Sequence, residues 1–478
     1  MEMVLIGMVA VCCMLAMSNW RHAMYLGVVI DVLRDPIRKV TPYEPAWMTQ
    51  AMVPVWLAIL VGCLAQQPSV IRRIKKIFPG VKSGTVLLFL SLTPGALMSL
   101  LLYQNGWFLA GIGGLSYAGP LAGLFIGACL ASSIQGVSRF LRVFVVVNTI
   151  AMIGTPAEYF HLDWSGLGGM QGFEWIRHIP GVQVRMISGF FRSPDIAGFH
   201  AANVLIFCFI LAIPKFRGDV IRPGWLIPAL YATYVMFLAG RRKMFVIPIL
   251  FVLIFWGFSS LKKRKNAGKS VHFLGVLLLV VAAAIVYGLW SQSEHDDYTE
   301  YYATIVTDAV PKFYDSAFGS SVETVRQSGI MGSGLGVASQ GAQYAGVDRS
   351  RVWQEDGASR LFKELGVIGV LIFFAALLAL IGEFRKAIRR PATDPVRSFF
   401  QFAGIAVFAG NAGSFMISHQ HISGDAANGL LALLFLGGVL GHAINDQDVV
   451  PALPVSAGFQ NRLPQLPKVN SSRSDSEP

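Results

Sequence analysis

The chain has 478 residues, 54% of them hydrophobic and only 14% charged, with mean hydropathy +0.56 and a formal net charge of +12. Soluble domains carry roughly 25% charged residues and few long uncharged apolar runs, so a soluble globular fold is excluded. The excess cations gather in short segments between apolar runs, which is how membrane topology is encoded, and no nucleic-acid partner is expected.

Many of the apolar runs approach the ~20 residues that cross a ~30 Å hydrocarbon core, and they are too long and unbroken for barrel strands. Lipid cannot satisfy open backbone groups, so the expected fold class is all-α: a polytopic helical membrane protein of about 12 transmembrane helices. The spans fall at 3–18, 48–66, 84–104, 107–131, 139–156, 198–214, 223–239, 243–260, 271–290, 361–381, 397–417 and 425–444. The first, within MEMVLIGMVAVCCMLAMS, has no basic n-region and no cleavage site, and reads as a retained span. The stretch RHAMYLGVVIDVLRDPIRKV that follows reads either as an extra short span or as an interfacial helix; if it spans, the N-terminus changes sides. All five cysteines lie inside apolar runs, with neither a disulfide framework nor zinc spacing. A transmembrane domain over 1–447 precedes a Pro- and Ser-rich tail, 448–478, expected to be disordered.

Loop 72–82, RRIKKIFPGVK, holds five cations and no acid; 262–269, KKRKNAGK, holds five; 383–397 holds five against two acids. On the twelve-span plan these share one side, which the positive-inside rule makes the cytoplasm, and both termini join it. Two long loops fall outside, 157–197 and 291–360, the second between spans nine and ten with five Lys/Arg and ten Asp/Glu.

Four segments gather chemistry on the outer face. AGRRKMF, 239–245, sets Arg241, Arg242 and Lys243 in a tight turn against the positive-inside bias, as headgroup anchors or as a binding device. VRMISGFFRSPDIAGFHAANVL, 184–205, brings Arg185 and Arg192, whose planar forks suit phosphate oxygens. WQEDGASRLFKELGVIGVLIFF, 353–374, places Glu355, Asp356 and Arg360 at a helix start: dipole-favoured acids on one reading, general-base carboxylates on the other. SHQHISGD, 418–425, offers His419 and His421 as acid/base groups; with Asp425 alone beside them no metal site is expected. The glycine run GIMGSGLGVASQG, 329–341, lacks the strand–helix context of a nucleotide fingerprint and is expected to turn tightly against a ligand or a neighbouring span.

Over roughly 139–444 the chain resembles the O-antigen ligase and O-antigen polymerase-like superfamily of bacterial membrane glycosyltransferases. The resemblance rests on RMISGFFRSPDIAG, LAGRRKMFVI (where relatives often carry a Ser-Arg-Gly turn), GSGLGVAS and ELGVIGVLIFF, in that order on the outer side. It implies glycan transfer from an undecaprenyl-pyrophosphate-linked donor on the periplasmic face of the inner membrane, with no cofactor, nucleotide or metal. Arg241 and Arg242, with Arg185 or Arg192, would bind the pyrophosphate, and Arg360 would orient the carboxylates or the donor. The family's catalytic His-Asn pair falls on Glu355-Asp356, so a carboxylate stands where relatives have the base; in a ligase, His419 or His421 would replace it. The expected reaction is polymerisation of lipid-linked repeat units for exopolysaccharide, capsule or O-antigen. The alternatives are a ligase, a lipid-linked sugar flippase, or a non-catalytic export subunit. Membrane lipid, a chain-length regulator and export proteins complete the implied partners.

Overall fold

The computed structural model describes residues 1–179, 182–213, 223–261, 301–302, 319–339, 341–347, 356–390 and 394–445. The expected span 271–290, Glu355 and the tail 448–478 lie outside the described residues. Among the described residues, ten helices are long and apolar enough to cross a membrane, and they coincide with ten of the twelve expected spans. The segment at 223–239 is a shorter apolar helix, Pro223–Leu238. The protein is an all-α, multi-pass membrane protein.

In chain order the helices are α1 (Glu2–Lys39), α2 (Met52–Gln66), α3 (Pro68–Ile77), α4 (Pro79–Leu102), α5 (Gly106–Ala118), α6 (Leu121–Leu130), α7 (Ile134–Ala151) and α8 (Gly154–Tyr159). An antiparallel hairpin of β1 (Trp175–Ile179) and β2 (Val182–Met186) leads into α9 (Pro194–Ala212), α10 (Leu226–Leu238) and α11 (Val246–Leu261). Then come α12 (Ser320–Ser328), α13 (Gly357–Arg389), α14 (Pro395–Ile417), α15 (Gln420–Ser423) and α16 (Ala426–Asn445).

At the N-terminus the structure favours the extra-limb alternative. Asn19 leaves helical geometry (φ −150°, ψ 85°), and Cys12 Sγ lies 3.2 Å from the Ala23 carbonyl oxygen. Eleven residues of straight helix would separate these groups by about 16 Å, so α1 is folded back on itself as a helical hairpin. Its first limb runs parallel to α2, with Cys13 near Pro54 and Met17 near Gln66. The second runs antiparallel, with Gly27 against Val55 and Arg34 bonded to Thr49. Residues 20–39 are therefore a further limb of membrane-crossing length, and Met1 lies toward the same face as Arg38. Single cysteines at Glu2 and Tyr43, in a background without the native five, should react with an impermeant maleimide from the same side. Reaction from opposite sides would contradict the folded-back α1.

The glycine run 329–341 turns toward neighbouring spans. The Leu335 amide donates to the Gly95 carbonyl (2.8 Å), Ser99 Oγ to the Leu335 carbonyl (2.8 Å), and the Ala338 amide to Glu364 Oε1 (2.9 Å). Non-helical backbone at membrane depth is tolerated only when protein satisfies it in this way. Gly336 sits at φ +85°, where a Cβ would overlap the Leu109 carbonyl, so no other residue fits there. The segment wedges between α4, α5 and α13, and α13 itself breaks at Gly366 (φ +67°), where the Val367 amide turns to the Ile330 carbonyl (2.8 Å).

α9 is the central post, with nearly every side chain buried. It starts with Pro194 at its first position and Asp195 in its first turn, both favoured there by geometry and dipole. α6 and α16 meet through glycines at four-residue spacing on each, Gly123 and Gly127 against the Leu430 and Leu434 carbonyls, Gly437 and Gly441 against those of Leu124 and Ala128. That contact fixes α16, and with it the turn 418–425, against the bundle.

Candidate substrate cavity

A cavity of about 280 Å³ opens at the end of the bundle where the second limb of α1, the start of α9 and the turn 418–425 meet. Arg38, Trp175, Arg192, Asp195, Tyr344 and His421 form its working wall. Arg192 reaches it because loop 187–193 is tightly held. Glu158 Oε2 accepts the Ser188 and Gly189 amides (3.1 and 2.6 Å), Lys39 Nζ donates to the Gly189 and Phe191 carbonyls (2.7 Å each), and Asp35 Oδ2 accepts the Arg192 amide (3.0 Å).

Asp425 is the electrostatic centre. Fully buried, it pairs with Arg34 and with Arg192 Nη2 (3.0 Å), and it accepts the Ala427 amide (3.0 Å). Burial alone would raise its pKa; the two guanidiniums outweigh that and hold the carboxyl below its ordinary value. Arg34 also contacts Asp31 (3.0 Å) and donates to the Thr49 carbonyl (2.9 Å). On the opposite wall Asp195 is bracketed by Arg241 (3.1 Å) and Lys243 (2.7 Å); Lys243 Nζ also donates to Ser418 Oγ, and Arg241 lies over the Trp175 ring.

Among the described residues, Arg192 Nη1, Trp175 Nε1 and His421 Nδ1 of this wall are buried and meet no hydrogen-bond partner. Buried polar atoms without partners are costly, and these three belong to residues that line one cavity. Burial, chiefly, and the Lys243 ammonium push the His421 pKa down to about 3, so its imidazole is neutral; Nε2 lies 3.1 Å from Ser414 Oγ.

The sequence-predicted residues divide. Arg192 and His421 reach the cavity, and Arg241 with Lys243 backs it through Asp195. Arg242 turns away, donating to the Tyr301 carbonyl (3.2 Å) and lying over its ring. Arg185, on β2 and 40% exposed, faces Glu158 and Glu174 instead. Of its two sequence readings, Asp356 takes the helix-start one: it accepts the Ser359 amide and hydroxyl (2.7 Å each) and the Ser320 hydroxyl (3.0 Å), so both oxygens are engaged at the start of α13. Arg360 and His419 join a separate buried network, Arg360 pairing with Glu364 (3.0 Å) and approaching His419 Nδ1 (3.3 Å) over the Tyr117 ring. Glu355 lies outside the described residues.

Sequence reasoning missed Arg34, Arg38, Asp195 and the pairing role of Asp425. The signal was present in the first two: charges at 31, 34, 35 and 38 inside an apolar helical run repeat at helical spacing, and charges in a span are expensive enough to demand a use. Neither a scan against protein-family models nor a search of the curated proteins finds a match for this chain.

Proposed function

We propose that the chain is a glycosyltransferase that polymerises undecaprenyl-pyrophosphate-linked repeat units on the periplasmic face of a bacterial inner membrane. The observation that carries this reading is the cavity wall, where the buried Arg192 keeps an unpartnered Nη1 beside unpartnered Trp175 and His421 nitrogens. Arg192, with Arg241 behind it, binds the diphosphate and stabilises it as the leaving group, the electrostatic contribution that usually dominates such transfers. The acceptor hydroxyl attacks the anomeric carbon as the bond to the diphosphate oxygen breaks, and a general base takes the hydroxyl proton. Two groups compete for that role, Glu355 at the family's base position and His421, neutral and facing the cavity. His421 alone is a weak base; an arriving diphosphate raises its proton affinity.

The test is polymer length in a deletion strain carrying wild type, Arg192→Ala, Glu355→Gln or His421→Gln at equal membrane abundance. Arg192→Ala should leave single repeat units on the carrier, at least about 100-fold less polymer, as for loss of one main transition-state donor. Whichever of Glu355→Gln and His421→Gln stops elongation identifies the base. Chains of normal length that fail to attach to an acceptor would make the protein a ligase. Units stranded on the cytoplasmic leaflet without the protein would make it a transporter.

A further inference from the structure

The N-terminal hairpin lies outside the stretch that carries the family resemblance, yet it supplies one side of the cavity. Arg38 reaches it with a guanidinium fixed in two places. Its Nε donates to the Glu44 carbonyl (3.1 Å) and its Nη1 to Thr49 Oγ1 (2.6 Å); among the described residues nothing bonds its Nη2. Thr49 is held in turn, since its carbonyl accepts from Arg34. Arg34 is paired with Asp425, and Asp425 grips Nη2 of Arg192. Both arginines therefore hang from one buried ion pair, and each has a donor left over. Arg192 is paired with Asp425 and Arg38 lies within the field of Asp35, yet among the described residues neither carboxylate bonds the two unused donors, and Asp195 is taken up by Arg241 and Lys243. An anion with oxygens on both sides would meet both unused donors at once. A diphosphate has that shape and charge, and the arginines are ordered before it arrives.

We propose that Arg38 is a substrate-binding residue, which together with Arg192 clamps a diphosphate between the N-terminal hairpin and the turn before α9. The clamp stands on this geometry; that the diphosphate is carried on a lipid rests on the proposed function above.

The experiment measures binding of inorganic pyrophosphate to the purified full-length protein in detergent, by calorimetry and by the shift in unfolding temperature. Arg38→Gln and Arg192→Gln should each weaken binding about tenfold or more, the scale of one charge-assisted hydrogen-bond set. Arg38→Lys should recover only part, because an ammonium lacks the planar fork. Arg389→Gln, exposed at the far end of α13, is the control for general electrostatics and should change nothing. Matching unfolding temperatures without ligand, or the partial rescue by lysine, separates lost contact from lost fold. Pyrophosphate that binds Arg38→Gln as well as wild type overturns the proposal, and so does wild type that binds none. Displacement by micellar undecaprenyl pyrophosphate identifies the lipid-borne group as ligand. Binding that this lipid cannot displace keeps Arg38 as an anion ligand and overturns the lipid-linked donor instead.

Discussion

Replacing Asp425 by alanine should destabilise the protein by about 3–5 kcal/mol, the range for removing one partner of a buried ion pair. The carboxylate is fully enclosed, and Arg34 and Arg192 would both lose it. Asp31 and Asp35 stay near Arg34, but among the described residues the Arg192 guanidinium would keep only its contact to the Gly424 carbonyl. Unfolding of the purified variant in detergent, with membrane abundance as a second readout, measures the loss. Adding Arg34→Met should recover a substantial part of it, because replacing both ions of a buried pair by apolar groups is far less costly than removing one. A single variant as stable as wild type would mean that Asp425 is not the centre of this cluster.

The second large effect is expected at Gly127. A Cβ there would overlap the Leu434 carbonyl oxygen, and the reciprocal contacts at Gly123, Gly437 and Gly441 leave α6 and α16 no room to slide. Gly127→Leu should cost about 3 kcal/mol, the upper part of the range for overpacking, because backbone rather than a yielding side chain stands in the way. Since α16 starts directly after Asp425, its displacement should also weaken pyrophosphate binding. Gly111→Leu is the matched control: nothing lies within 4 Å of a Cβ at that position, so its stability should change by no more than about 0.5 kcal/mol. Equal effects at the two glycines would remove the tight α6–α16 contact from the account of the site.

Apolar run length made the helices legible, because a span is a one-dimensional quantity that sequence states directly. The fold-back at Asn19 was left open, since a segment apolar in its first half and charged in its second reads equally as a short span or an interfacial helix. Charge placement flagged Arg192, Arg241 and His421. It could not say which guanidinium points where: Arg241 and Arg242 are adjacent, yet one joins Asp195 and the other Tyr301. Asp356 stayed open for the same reason, because a carboxylate at a helix start serves equally as cap or base until its partners are known. The Arg34–Asp425 pair was hidden by distance, its members lying 391 positions apart in the chain.

The wedge of glycine-rich backbone among α4, α5 and α13 sets a schedule for biogenesis. Ser99 and Leu335, bonded in the finished protein, are 236 residues apart, which at ~5–20 residues per second of synthesis means a wait of roughly 10 to 50 s. Throughout that interval α4 and α5 are already inserted, and the crevice between them is occupied by something other than its final filling. The wedge is synthesised well after both helices, so it docks late, as a keystone set after the pillars stand. A ribosome that stalls before residue 335 releases a chain with every early helix in place and an open seam, a form that membrane quality control can tell from the finished protein.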